Sequence, residues 1–174
     1  MSGQDEFAWI ARLRGLTRGE PAALNLMDDA AVLPSRPGFD LVITKDAMVE
    51  GVHFLEGEAG DVVARRLLRT NLSDLAAKAA EPFGYALMTA FPASKDAAWR
   101  EAFAQGLEAD GAAYGLALLG GDTVSTPGPV AVSATLFGWV PAGKAVLRAR
   151  ARAGDQLLVA GFIGDGLLGL KAAR

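Results

Sequence analysis

Apolar positions recur at helical spacing through residues 60–80. Leu68, Leu72, Leu75 and Ala79 fall on one stripe, which predicts a helix from Gly60-Asp61 to Glu81-Pro82. Asp61 suits its first turn as a cap, and Pro82 cannot continue it. Leu67, Asn71, Asp74 and Lys78 occupy the adjacent stripe, so Asp74 stands at the edge of the buried face. A carboxylate there needs a positive partner. Lys78, one turn on, is one candidate, and a metal ion is the other. A second helix is predicted over Lys95–Tyr114, where Trp99, Phe103 and Leu107 repeat every four residues, and a short one over Glu6–Leu13. Gly15–Ala23, rich in Arg, Gly and Pro, reads as a loop.

The strand pattern is interleaved with these helices. Asp40–Thr44 is a β-branched run ending in Lys45-Asp46, and Tyr85–Phe91 is closed by Pro92. Leu116–Leu119 runs into Gly120-Gly121-Asp122-Thr123, and Pro129–Val140 alternates through Val130, Val132, Ala134 and Leu136. Shorter strands are predicted at Ala30–Leu33 and Gln156–Ala160, and a helix from Gly164. The order lacks a regular βαβ alternation, so the expectation is an α+β domain: a mainly antiparallel sheet with helices on one face. Residues 1–153 are expected to form that domain. Residues 154–174 are expected to be the first strand and helix of a second α/β domain that is cut short.

Composition narrows the function classes. Of 174 residues, 51% are apolar, enough for a packed core. The net charge of -3 does not favour a nucleic-acid surface. The chain has no cysteine, which excludes disulfides, thiolate metal sites and a cysteine nucleophile. Neither a secretory signal pattern nor a bilayer-length apolar run is visible, so the expected location is the cytoplasm, with no membrane partner.

Four acids share a pattern. Asp29 opens a predicted strand, Asp46 ends one, Asp74 lies on a helix edge, and Asp122 follows a strand and two glycines. Strand ends and the loops after them are where scaffolds present functional groups, and carboxylates with hydroxyls are what Mg²⁺ takes. Each acid taken alone also suits a turn, a cap or a strand end. His53, the only histidine, equally suits a loop residue bonded to backbone, and Arg148, among Arg150 and Arg152, a solvated connector.

Five motifs occur in order: Asp28-Asp29-Ala30-Ala31-Val32-Leu33; Thr44-Lys45-Asp46 with Gly51-Val52-His53-Phe54; Asn71-Leu72-Ser73-Asp74-Leu75-Ala76-Ala77; Gly120-Gly121-Asp122-Thr123; and Gly138-Trp139-Val140-Pro141 through Arg148. Together they resemble the N-terminal half of thiamine-monophosphate kinases, part of a wider group that includes aminoimidazole ribonucleotide synthetase and selenophosphate synthetase. The resemblance implies transfer of the γ-phosphoryl group of ATP to thiamine monophosphate, giving thiamine diphosphate. It places Asp29, Thr44, Lys45, Asp46, Asp74 and Asp122 at Mg²⁺, with Asp46, Asp74 and Asp122 as the catalytic set. It places Gly121, Asp122 and Arg148 at the nucleotide and His53 at the acceptor. It also implies a homodimer in which two such sheets close into a barrel, and little or no turnover by a chain lacking most of the second domain. The mechanism it implies requires Asp29, Asp46, Asp74 and Asp122 to meet in one pocket.

Two positions depart from that pattern: Met27 stands where relatives usually carry glycine, and Lys45 where they carry a small hydroxyl residue. Alternatives are another ATP-using member of the same group, such as aminoimidazole ribonucleotide synthetase, or a non-catalytic dimerisation domain. Gly164-Asp165-Gly166-Leu167-Leu168-Gly169 matches a dinucleotide-binding fingerprint, but the acid expected about 20 residues further on has no place in this chain.

Overall fold

The structure, a computed structural model, describes the backbone of residues 3–173 and the side chains of 7–172. Eight principal elements follow in order: α1 (Gly3–Leu13), β1 (Phe39–Val49), α2 (Gly60–Ala77), β2 (Glu81–Phe91), α3 (Ala97–Tyr114), β3 (Ala117–Ser125), β4 (Ala131–Pro141) and α4 (Asp165–Ala173). The strands form one mixed sheet in the order β1-β4-β2-β3. The β1–β4 and β4–β2 pairings are antiparallel, and β2–β3, joined through α3, is parallel. The α+β architecture read from the sequence is therefore the one observed.

The core lies between the sheet and its helices. On α2, Val63, Ala64, Leu67, Leu68 and Leu75 are fully buried, and on α3 Phe103, Ala104 and Leu107 are too. They meet Tyr85, Leu87, Val132, Ala134 and Leu136 from the two central strands. Trp9 of α1 and Trp99 and Phe103 of α3 converge on Phe91, with Trp99 and Phe103 stacked at 5.6 Å. The two long helices cross where neither can carry a side chain. A Cβ on Gly60 would stand 2.3 Å from the Trp99 carbonyl oxygen, and one on Gly106 would stand 2.6 Å from that of Asp61. The opposite sheet face leaves Leu41, Ile43, Met88 and Val124 exposed.

Ion pairs tie the elements at the rim of this core. Arg12 of α1 bonds Glu101 and Glu108 of α3. Arg69 of α2 holds Asp110 of α3 through two bonds of 2.7 and 2.9 Å. Glu50, just after β1, accepts from Lys95 at 2.6 Å, with both side chains at or below 15% exposure. Burial pushes the Glu50 carboxyl up, but hydrogen bonds from Lys95 and from the backbone N–H groups of Gly57 and Val130 outweigh it, so it lies below the usual carboxylate range.

Several predicted boundaries are corrected. β1 does not stop at Lys45-Asp46 but continues to Val49, paired with β4 throughout, so Asp46 is mid-strand. Gly120–Thr123 is likewise strand, within β3. α2 ends at Ala77, before Pro82 can act: Ala79 turns left-handed at φ 57°, and Ala80 N–H bonds the Leu75 carbonyl. Asp61 makes no cap and instead pairs with Arg65 at 3.3 Å. Gly15–Ala23 is not an open loop, being largely taken up by 3-10 turns at Arg14–Thr17 and Pro21–Leu26. Ala30–Leu33 is not a strand. Ala22 and Ala23 of the second turn pack on Ala117 and Leu119 of β3, beside the edge it would have joined. Gln156–Ala160 is also irregular, with Leu157 93% exposed and, among the described residues, no strand paired with it. Among the described residues, no helix is long and apolar enough to cross a membrane.

Gly106→Ala should lower unfolding free energy by about 2 kcal/mol or more in denaturant titrations, the usual scale of overpacking where backbone cannot yield. Glu50→Gln should be less stable than the parent chain at neutral pH, with the gap closing on acidification. Because the folded-state carboxyl is depressed, its contribution is full above the unfolded value, about 4.3, and is lost as pH falls through the folded one. Parallel denaturant titrations from pH 7 down to about 3 would show the two curves converging.

Candidate functional site

Strand alternation decides where the polar residues of β1 go. Val42 packs on the core and Met48 is buried in it, so Thr44 and Asp46, between them at even spacing, point to the helix-covered face. There the Thr44 hydroxyl donates to Asp74 Oδ2 of α2 at 2.9 Å. Residues 30 apart in sequence thus meet at the seam between sheet and helix. Lys78, the ordinary partner considered for Asp74, instead bonds the Val146 carbonyl at 3.2 Å. One turn before Asp74, Asn71 is fully buried. Its amide donates to the Leu67 carbonyl at 2.9 Å, and its Oδ1 has no partner among the described residues.

Lys45 goes the other way. Its ammonium stands on the opposite sheet face, 3.4 Å from the Thr135 hydroxyl, so only its backbone is shared with the Thr44–Asp46 side. The same alternation carries Asp122 away from Asp46. Asp46 pairs with Ala134, Ala134 with Leu87, and Leu87 with Gly121. Asp122 is therefore out of phase with Asp46, beside Met88.

A second acidic group forms there. Asp28, Asp29, Gly120, Gly121 and Asp122 line one cavity of about 510 Å³. Gly121 has no substitute: a Cβ would lie 1.9 Å from the Leu87 carbonyl oxygen. Leu24, Asn25 and Leu26 all adopt left-handed φ just before Asp28-Asp29, bending the chain toward β3. Met27 sits at φ -111°, an ordinary conformation that does not call for the glycine expected there.

The remaining predicted residues are separate again. His53 lies in the loop after β1, where its Nδ1 accepts from Val49 N–H at 3.1 Å. It lines a cavity with Arg66 of α2 and Gly166 and Gly169 of α4. Arg148 is exposed in a 3-10 turn, Arg148–Arg150. The single pocket expected for the four aspartates is thus not formed. Among the described residues, no three acidic or histidine side chains are grouped to hold a metal ion. Thr44 and Asp74 touch, with Asp46 on their face, while Asp29 and Asp122 share the other cavity. Sequence reasoning missed Glu50, Lys95, Glu58 and Arg66, which hold the His53 loop. The Glu50–Lys95 pair spans 45 residues and the Glu58–Arg66 pair 8, and neither spacing carries a local signal.

Comparison with known proteins agrees with this architecture. The family model described as AIR synthase related protein, N-terminal domain, matches residues 27–140. The thiamine-monophosphate kinase of Caulobacter vibrioides is 67% identical over 96% of this chain and 48% of its own length. The crystal structure of the kinase of that name from Stenotrophomonas maltophilia superposes with a TM-score of 0.85 at 38% identity, covering 97% of this chain and 52% of that one. A structure described as AaThiL complexed with AMPPCP and TMP gives 0.73 at 25% identity, covering 100% and 55%. The chain spans about half the length of the curated relatives it matches. With the five motifs in order on a matching fold, the chain belongs to the AIR synthase related family and corresponds to the N-terminal half of a thiamine-monophosphate kinase.

Proposed function

We propose that this chain is the nucleotide- and metal-binding part of a kinase that moves the γ-phosphoryl group of ATP onto the phosphate of thiamine monophosphate. The observation that carries the reading is the Thr44–Asp74 contact, which joins the Thr-Lys-Asp and Asn-Leu-Ser-Asp motifs into one oxygen-donor group. The likeness to a kinase complexed with AMPPCP and TMP supports both ligands.

The residues present suit Mg²⁺. All the donors are hard oxygens, and this ion is ordinarily held by only one or two carboxylates, with waters and substrate phosphates completing the octahedron. Thr44, Asp46 and Asp74 make one such set, and Asp29 with Asp122 another. A bound Mg²⁺ would neutralise phosphate charge that otherwise keeps two polyanions apart. The chain's own part is positioning. Gly121 lets β3 run hard against β2, and it places a side-chain-free stretch of backbone beside Asp122 where a phosphate can approach. Arg148 adds a cation on an exposed connector. The acceptor phosphate oxygen is already a nucleophile, so no basic side chain is required, in keeping with a chain that has one histidine and no cysteine.

Three further parts belong to the same reading. Residues 154–174 begin a second domain, to which exposed Leu157, Leu158, Phe162 and Ile163 would contribute core. The open sheet face bearing Leu41, Ile43 and Met88 pairs with a second copy. The enzyme works in the cytoplasm, and this chain alone turns over slowly or not at all.

Calorimetric titration of this chain with AMPPCP tests the reading. Binding should need Mg²⁺. Asp74→Asn and Asp122→Asn should each weaken it about tenfold or more, the worth of one charge-assisted contact. Equal binding with and without Mg²⁺, or no effect of either substitution, would refute it.

A further inference from the structure

The loop that carries His53 is held far more firmly than its exposure suggests. At its start, Glu50 is fixed through both oxygens. Oε1 accepts from Lys95 at 2.6 Å and Gly57 N–H at 3.2 Å, and Oε2 accepts from Val130 N–H at 3.4 Å. At its end, Glu58 accepts from Arg66 and from Leu55 N–H at 3.0 Å, while the Trp99 indole donates to the Glu58 carbonyl at 2.8 Å. Lys95 joins the two ends, lying 5.2 Å over the Trp99 ring. Inside the loop, His53 N–H bonds the Val49 carbonyl at 2.8 Å, and Phe54 is buried as an anchor.

This frame has a chemical consequence. A backbone N–H can only donate, so Val49 N–H bonded to His53 Nδ1 requires that nitrogen to be the unprotonated one. In the neutral ring the proton then sits on Nε2. We propose that Glu50 and Lys95 are positioning residues for His53, holding the loop so that the imidazole presents Nε2–H to the cavity as a hydrogen-bond donor. The ligand atom it meets is then an acceptor, such as a phosphoryl oxygen. A nitrogen that already holds a proton cannot remove one, so His53 orients the acceptor and does not act as a base there. The assignment of His53 to the acceptor rests on the function proposed above; the tautomer and its cause do not.

His53 is the only histidine in the chain, so its ring nitrogens can be read without ambiguity. Long-range proton–nitrogen correlation spectra of the ¹⁵N-histidine-labelled chain, at mildly alkaline pH, give the tautomer directly. The folded chain should show Nε2–H in excess over the urea-unfolded chain by about fivefold, the worth of one hydrogen bond. Lys95→Met and Glu50→Gln should each bring the ratio back to the unfolded value, and Lys95→Arg should retain the excess. Glu101→Gln, which breaks a distant ion pair, should leave it intact and serves as the control for general loosening. An Nδ1–H tautomer in the folded chain, or an excess unchanged in a folded Lys95→Met chain, would overturn the proposal. Thiamine monophosphate added to the same sample should shift Nε2. If the tautomer is as stated and no shift follows, the kinase reading fails at this site while the positioning role stands.

Discussion

The pairing register of β1 with β4 is the constraint on which the site depends. Eleven residues of β1 alternate between a face packed by α2 and an open face, and β4 holds that phase without a break from Phe39 to Val49. A slip of one residue would exchange the faces. Val42 and Met48 would leave the core, Leu41, Ile43 and Lys45 would enter it, and Thr44 would lose Asp74. The apolar residues that fix the register for the sake of the core thereby also fix where the polar ones point.

That coupling explains why the motif residues are spaced as they are. Thr44 and Asp46, two apart, share the helix-layer face, and the Lys45 side chain between them points to the open face. Asp74 reaches them because Leu67, Leu68 and Leu75 drive their side of α2 into the sheet, leaving Asp74 at the seam with the Thr44 hydroxyl within bonding distance. On β3, an extra residue between the pairs Tyr85–Leu118 and Ala86–Gly120 resets the phase, and Gly121 accepts the close approach of β2. Asp122 is consequently delivered to the other side, toward Asp29.

The elements legible in the sequence were those whose own residues pay for their burial. α2 and α3 carry helical apolar stripes that any partner surface would bury, and β4 alternates cleanly. Boundaries are hidden where a strand continues through polar residues: Lys45-Asp46 and Gly120–Thr123 look like strand ends, yet their backbone groups pair with neighbours far away in sequence. Ala30–Leu33 and Gln156–Ala160 have strand-like side chains but, among the described residues, pair with no strand, and composition does not reveal that lack. The acids were legible as candidates one by one. Their division between two faces was not, since it depends on cross-strand register and on a bulge. The Glu50–Lys95 pair was invisible for the same reason: its partners are adjacent only after β1 and α3 have docked.

On the function proposed above, Thr44, Asp46 and Asp74 form one set of oxygen donors and Asp29 with Asp122 another, each to be completed by ligand phosphate. Paramagnetic broadening by substoichiometric Mn²⁺ with AMPPCP, mapped on the amide spectrum of the chain, distinguishes two sets from one. Two distinct patches should broaden, one around Thr44 and Asp74 and one around Asp29 and Asp122, with Asp74→Asn erasing only the first. A single patch, or loss of all broadening on that one substitution, would contradict it.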